Sequence, residues 1–578
     1  MSRINDILGT GRQGVLTHKQ VLDVISRNIS NAQTEGYTRQ TPVLTPLSAP
    51  QLGVMLAQIK RTRDMVLEGR IRSETQDLKK NESEINILKR IERLFSEDGG
   101  GGLTNELSAL FDAFEALSTH PDSVGVRRDV VAKSSNFLSK AKNIAQAMVD
   151  LRTEQDKTIQ QTIKEVNSIL SEIATLNAKI AENEKVSQTQ PPGANINEIK
   201  DKRDLLVRKL SEIIDIQTFQ DDLGRTIVSL SRGGHVLVSA DRAFSLTTMP
   251  DLKNTSNPID STSSPLVAIK YVDGDGKIWN ITPFIQGGKL GGILSARDTS
   301  IVSILTQLNA LSKAITESVG RIHTQGVGIV HYSSLTSQYN SDPAATLSSS
   351  GLPYSSSSGS FNVAVYTEDG SYVTSFTVNY DPTIDNLYNI SLFVNSNPEN
   401  SGYVSSSVSA DGKLTITAGD GYKFDLYKDT GGLLTSLGLD TLFVGKNIFE
   451  MKVGDDFVSE PLFIATSDDP LSPAGNNVAL QLAELRNSKI LNSKSALENY
   501  LDIQSQIGHT LFKLNIDFDA KKSAVSILDE QIQAEAGVSL DEEFAKVIEF
   551  QRAFDASARL VRMSDEMMLT ILGLGAGG

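Results

Sequence analysis

No cysteine occurs anywhere in the 578 residues, so neither disulfides nor thiolate metal sites can hold the fold together, and it is independent of the redox compartment. Positive charge is also in deficit. Lys and Arg number 55 against 70 Asp and Glu, a net charge of −15, which leaves no basic face to neutralise phosphates and argues against nucleic acid or an anionic membrane as partner. No segment is apolar for long enough to span a bilayer, so no membrane insertion is expected. At the start, Met1-Ser2-Arg3-Ile4-Asn5-Asp6 places polar residues where a secretory signal needs an unbroken apolar run. Any export is therefore expected to proceed without a cleaved signal peptide.

Catalytic patterns are missing too. The six histidines form no His-Glu-x-x-His pair, and no Gly-x-Ser-x-Gly elbow occurs. Gly99 to Gly102 lack the Lys-Ser/Thr of a phosphate loop and read as a break between helices. Asp273-Gly274-Asp275-Gly276 invites a calcium reading, but Ile278 and Phe284 stand where such a loop needs its glycine and its glutamate, so a hairpin turn is expected. No catalytic, cofactor or metal site is expected, and the chain reads as a non-enzyme.

What the chain does have is helical periodicity at both ends. Ser539-Leu540-Asp541-Glu542 has the form of a capping box, and from there Leu540, Phe544, Val547, Phe554, Ala558, Val561, Met568 and Leu572 recur in the three- and four-residue steps of a coiled-coil seam. Phe550, Ala553, Leu560, Met567 and Ile571 form a second stripe beside it, wider than one partner helix requires. Such a rod, roughly 50 Å long at about 1.5 Å per residue, needs support from a neighbour. Ile4, Leu8, Gly11, Val15, His18, Leu22, Ile25 and Ile29 follow the same stepping. The two ends are expected to pair and to present an assembly seam; the bland alternative is two ordinary bundle helices inside one globular domain.

Between them, Asp64 to Asp98, Leu103 to Leu117, Arg127 to Ala147 and Leu151 to Val186 carry amphipathic helical patterns, and Pro191-Pro192-Gly193 marks a turn. At Ile214 the period changes from about 3.6 to 2, and strands and hairpins follow to Phe284. Gly287 to Gly292 lead into a helix that ends near His323. Residues 326–475 are rich in Ser, Thr, Gly, Tyr and Asn with short alternating runs and read as a separate β-rich body, after which a long helical return runs from Asn476 to Glu535. The length suits three to four domains.

The first helix is followed by Asn28-Ile29-Ser30-Asn31-Ala32-Gln33-Thr34-Glu35-Gly36-Tyr37-Thr38-Arg39-Gln40, in which Asn31 suits a helix end and Gly36 a positive φ. Asn28, Asn31, Thr34, Gly36, Tyr37, Arg39 and Gln40 in this spacing resemble the signature of the flagellar hook-associated protein 1 family, the hook-filament junction proteins of bacteria. Rod and hook proteins share its first half. Gly537-Val538-Ser539-Leu540-Asp541-Glu542-Glu543, Asp201-Lys202-Arg203-Asp204, Leu437-Gly438-Leu439-Asp440 and Gly475-Asn476-Asn477 are similar to further stretches of that family. The fold class is accordingly expected to be α+β and multidomain. Residues 1–60 with 534–578 would form a terminal coiled-coil domain, 61–325 with 476–533 a helical bundle with β-hairpins, and 326–475 an inserted β-rich outer domain. The resemblance implies a structural protein of the flagellum that joins hook to filament. It implies self-association in a ring, contacts with hook protein and a second junction protein, and a cytoplasmic chaperone for export through the flagellar type III apparatus. It further implies an extracellular location, periplasmic where flagella are internal. A self-associating coiled-coil scaffold, or another hook- or rod-type axial protein, is the alternative. A secreted glycosidase or protease carried on the β-rich segment would need paired catalytic groups that the chain does not display.

Overall fold

The computed structural model describes residues 2–47, 53–96, 102–187 and 195–575; Gly99 to Gly101 and Pro191-Pro192-Gly193 lie outside them. The chain begins in α1 (Ser2–Ser30). Gly36, at φ +80°, then turns it into an antiparallel hairpin of β1 (Gln40–Pro46) and β2 (Val54–Arg61).

Asp64 caps α2 (Met65–Phe95) by accepting from the amides of Val66 and Leu67, which satisfies two otherwise orphaned first-turn donors. α3 (Leu103–Thr119) follows. The two patterns expected at 127–147 and 151–186 are one helix, α4 (Val124–Ser187, 64 residues), because Met148, Val149 and Asp150 contain no breaker and the apolar face simply changes neighbours along its length. Val130, Phe137, Ile144, Ile159, Val166 and Ile173 all lie in the principal core with Leu110 and Phe114 of α3. α5 (Asn195–Ile213) runs back along α4.

Two small antiparallel sheets close this body. One orders β3 (Ile216–Gln220), β4 (Thr226–Leu230), β5 (Val236–Ser239) and β6 (Arg242–Ala243) in sequence; the other holds β7 (Leu246–Thr255), β8 (Pro265–Val272) and β9 (Ile278–Asn280). The Asp273 turn joins β8 to β9 as a hairpin, its carboxylate accepting from the amides of Asp275 and Lys277. The glycines at 288–292 do not precede a helix but form one, α6 (Gly288–Ser295). A Cβ on Gly292 would strike the carbonyl of Lys80 in α2, so glycine is what permits the two helices to approach. A π turn at Ala296–Ser300 leads into α7 (Ile301–His323).

The segment beyond carries its own apolar core from Tyr332 to Leu439. Around it lie the sheets β10 (Ser334–Thr336) with β13 (Val404–Val408) and β14 (Leu414–Ala418), and β11 (Gly359–Thr367) with β12 (Tyr372–Tyr380) and β15 (Tyr422–Tyr427). Helices α8 (Leu387–Asn395) and α9 (Leu433–Leu437) interrupt the strands. The strand pair β16 (Phe443–Val444) and β17 (Lys452–Val453), with α10 (Asp455–Ser459), packs back into the principal core through Leu442, Ile448 and Phe457.

The expected single return helix is two. α11 (Asn477–Glu484) and α12 (Ala496–Ala536) are divided by a tight turn in which Asn492 and Ser493 both take positive φ, the backbone of a two-residue hairpin connection. Ser495 and Glu498 form a reciprocal capping box on α12. α13 (Leu540–Gly575) ends the described chain. Among the described residues no helix is long and apolar enough to cross a membrane.

Candidate functional site

α1 and α13 pack along their length, and α1 also rests on β1 and β2. Their contact is built on small residues. A Cβ on Gly11 would lie 3.0 Å from the Val561 side chain, and one on Gly14 would lie 2.6 Å from Ser557 Oγ, so the backbones approach more closely than alanine allows. His18 and Phe550 follow with ring centroids 5.9 Å apart. Ser564 and Glu543 of α13 are buried, as are Val21, Val24, Ile25 and Asn28 of α1.

Asn28 is the centre of a latch. Its Nδ2 donates to Gln40 O (2.9 Å) and Glu543 Oε2 (2.8 Å), while its Oδ1 accepts from Tyr37 Oη (2.8 Å) and Gln40 N (3.0 Å). All four hydrogen-bonding positions of this buried amide are thereby filled. Glu543 is held further by Arg39 Nε at 3.1 Å and Lys546 Nζ at 3.0 Å, and Arg39 reaches Glu542 at 2.7 Å. The amide of Arg39 donates to Ala536 O at the elbow between α12 and α13. The expected capping box is therefore only half made. The Glu542 amide lies 3.5 Å from Ser539 Oγ, while the Glu542 carboxylate is drawn to Arg39 instead of back to the cap.

The other side of the same loop grips the body. Thr38 Oγ1 donates to Asp201 at 2.6 Å, and Arg61 pairs with Asp201 (2.9 Å) and Asp204 (2.6 Å). Arg63 meets Asp204 at 2.6 Å. Burial opposes the charge on Asp204, but Arg203, Arg63 and Arg61 outweigh it and hold its carboxyl below the ordinary value; at Asp201 burial prevails over Arg61 and Thr38, and its carboxyl is pushed up. Burial, then the nearby Asp201 and Glu198, pushes the Tyr37 phenol up. A cleft of about 340 Å³ lies between this loop, α2, α5 and the elbow, lined by residues including Ile71, Leu205, Ile532 and Val538. The site thus ties three elements far apart in sequence to one loop. Among the described residues no group of His, Cys, Asp and Glu has the arrangement of a metal site.

Comparisons with known proteins point the same way. Residues 88–332 match the model of the helical domain of flagellar hook-associated protein FlgK, and residues 532–574 match that of the C-terminal region of the flagellar basal body rod proteins FlgEFG. Flagellar hook-associated protein 1 of Salmonella typhimurium is 22% identical over 99% of this chain and 100% of its own length; that of Bacillus subtilis is 23% identical over 99% and 98%. Over its full length the chain resembles the flagellar hook-associated protein 1 family. It is a structural component of the bacterial flagellum. The hook junction protein FlgK of Burkholderia pseudomallei superposes with a TM-score of 0.49 at 15% identity, over 80% of this chain and 99% of that one.

The signature residues named from sequence fall into two groups. Asn28, Tyr37, Arg39 and Gln40 meet in the latch. Asn31 and Thr34 shape the turn, with Thr34 N donating to Asn31 O, and Gly36 supplies the positive φ where a Cβ would press on Leu205. Of the seam residues, Ile25 is buried and Ile4, Leu8, Val15, Leu22, Ile29, Val547, Phe554, Ala558, Val561 and Met568 are half-buried. Phe544 differs, at 52% exposed and facing outward, and Leu540 and Leu572 at the two ends of the series are exposed as well. The seam is rotated because Asn28 pulls Glu543 inward and because Gly11, Gly14, Ser557 and Ser564 bring the backbones together; Phe550, from the second stripe, enters the contact in its place. Sequence reading missed Glu543, Gly14, Ser557 and Ser564 because none is apolar. The partnership of Asp201 and Asp204 with Arg61 and Arg63 had no local signal beyond the density of charge.

Proposed function

We propose that the paired terminal helices are the assembly surface through which this chain joins hook to filament. The observation that carries it is the outward face of α13. Phe544, Ile548, Leu560, Met563, Met567 and Ile571 are all exposed on the single chain, and so many large apolar side chains on one solvated helix mark a surface made for protein contact. In this reading residues 1–60 with 534–578 are the axial unit, 61–325 with 476–533 the body, and 326–475 the outer part, anchored through Leu442, Ile448 and Phe457 in the body's core. Copies associate in a ring, with hook protein on one side and a second junction protein on the other. Export runs through the flagellar type III apparatus with a chaperone, and the protein resides in the external flagellum. The match of residues 532–574 to rod proteins favours an axial mode of packing shared with rod and hook subunits. Labelling the chain on isolated hook-basal bodies tests the reading: a band at the distal end of the hook is expected, and label distributed along the rod or absent from the flagellum would overturn it.

A further inference from the structure

A second surface stands apart from the terminal helices. The chain's single tryptophan, Trp279, is 41% exposed on β9, beside Phe284 at 37%. His235 lies between them, its ring centroid 6.3 Å from Trp279 and 5.7 Å from Phe284, with Tyr271 at 5.0 Å beneath. The patch is built rather than incidental: Gly233 takes φ +76°, and a Cβ there would lie 3.0 Å from the Phe284 ring, so the turn admits glycine and the ring lies on it. Cations surround the rings. Lys277 Nζ sits 3.9 Å over Trp279, Arg242 lies 5.2 Å over Phe244, and Arg232 is exposed beside Gly233. Of the two acids in the turn, Asp273 is engaged by the Trp279 indole N–H at 2.9 Å and by two amides, and Asp275 is exposed. An aromatic face rimmed by Lys and Arg fits an acidic partner that is itself apolar at its centre.

The chain carries such a surface. On α12, Leu501, Phe512, Ile516 and Ile527 are each about half exposed or more, at 47%, 64%, 53% and 55%. Steps of eleven, four and eleven residues put them on one face, since eleven residues are close to three turns. Asp519 and Glu530 fall within the stripe, both exposed, and Asp502 beside it pairs with Lys494. α12 packs on α2 and α7, whereas β7 and β8 pack on α4.

We infer that the aromatic–cationic patch around Trp279 of one copy docks on the acidic, apolar face of α12 of the next copy. The two surfaces differ, so the contact is heterologous, and a heterologous contact that repeats closes a ring or winds a helix. The inference rests on the proposed assembly in the flagellum and supplies a lateral contact for it, separate from the axial helices. A single acidic copy of net charge −15 otherwise repels its neighbour, and Arg232, Arg242 and Lys277 at the patch give the acids of α12 something to pair with where contact is made.

The test places a photo-crosslinking amino acid at Ile278, exposed next to Trp279, in cells whose flagella contain this chain as the only copy of the protein, with the crosslinker at Leu252 as a control on the same sheet. Irradiation of isolated flagella is expected to give a dimer from Ile278 and not from Leu252, with the joined peptide mapping between Leu501 and Glu530. A second arm carries Phe512→Glu with Ile516→Glu, which alters exposed side chains only, and is expected to lose that dimer band. A crosslink to another protein, to another part of this chain, or none in flagella that contain the chain would overturn the proposal. Absence of the chain from the flagella would instead overturn the proposed function.

Discussion

At the scale of the residue, Asn28 shows how a side chain of modest size can fix a long-range arrangement. Asn28→Ala leaves the N–H and C=O of Gln40 and the Tyr37 hydroxyl without their buried partner, and unsatisfied buried groups cost about 1–3 kcal/mol each. Hydrogen exchange should quicken across α1 and the first turns of α13 and stay unchanged in α3 and α4; uniform loss of protection would show that the latch is not local. A second residue gives a pH dependence. His323 is wholly buried, its Nδ1 2.9 Å from Asp440 O and its Nε2 accepting the Ala465 amide at 2.9 Å. Burial lowers its pKa to about 4, from about 6.5 when unfolded. The unfolded chain therefore binds the proton first, so stability from this group is fully present above pH 6.5 and falls as the pH drops from 6.5 towards 4, by up to about 3 kcal/mol. Chemical denaturation of the wild type and of His323→Gln at pH 7.5 and pH 5 should show a smaller loss in the variant. The signature Asn28, Tyr37, Arg39 and Gln40 was legible as a pattern, but its buried counter-charge Glu543 was not. Periodicity weighs apolar residues, and a glutamate at a helix start looks like a response to the helix dipole.

At the scale of the element, the type of most helices could be read and their limits could not. The sequence pattern divides α4 in two because its apolar face changes partners near Met148, and it carries no sign of the turn at Asn492-Ser493 because neither residue is glycine. The glycines of α6 read as a linker because glycine is a poor helix former, yet the close approach to the Lys80 carbonyl requires Gly292. The same physics governs the terminal pair. Gly14→Val should force α1 away from Ser557, since even a Cβ would lie 2.6 Å from that hydroxyl. Limited proteolysis should then cut both terminal helices sooner while the body resists as before, and unaltered cleavage of α1 and α13 would contradict the close approach of their backbones.

At the scale of the whole molecule, composition gave the β-rich character of the outer segment but not its attachment. Its own core runs from Tyr332 to Leu439, while Leu442, Ile448 and Phe457 belong to the body, a division that turns and alternation cannot reveal because both halves share the same residue types. Tyr332 Oη lies 2.9 Å from Asp440, so replacing residues 333–438 with a short Gly/Ser linker should leave the body folded and the chain still present in flagella; a folded, exported deletion that never enters them would assign an essential contact to the outer part. The central claim, that the outward face of α13 joins this chain to the flagellum, is tested most directly by the amount of protein recovered in isolated hook-filament complexes from cells making the wild type or Phe544→Asp with Met567→Asp. Both side chains are exposed in the single chain, so the variant is expected to fold and be exported yet to be lost from the complexes, whereas recovery equal to the wild type would contradict the account.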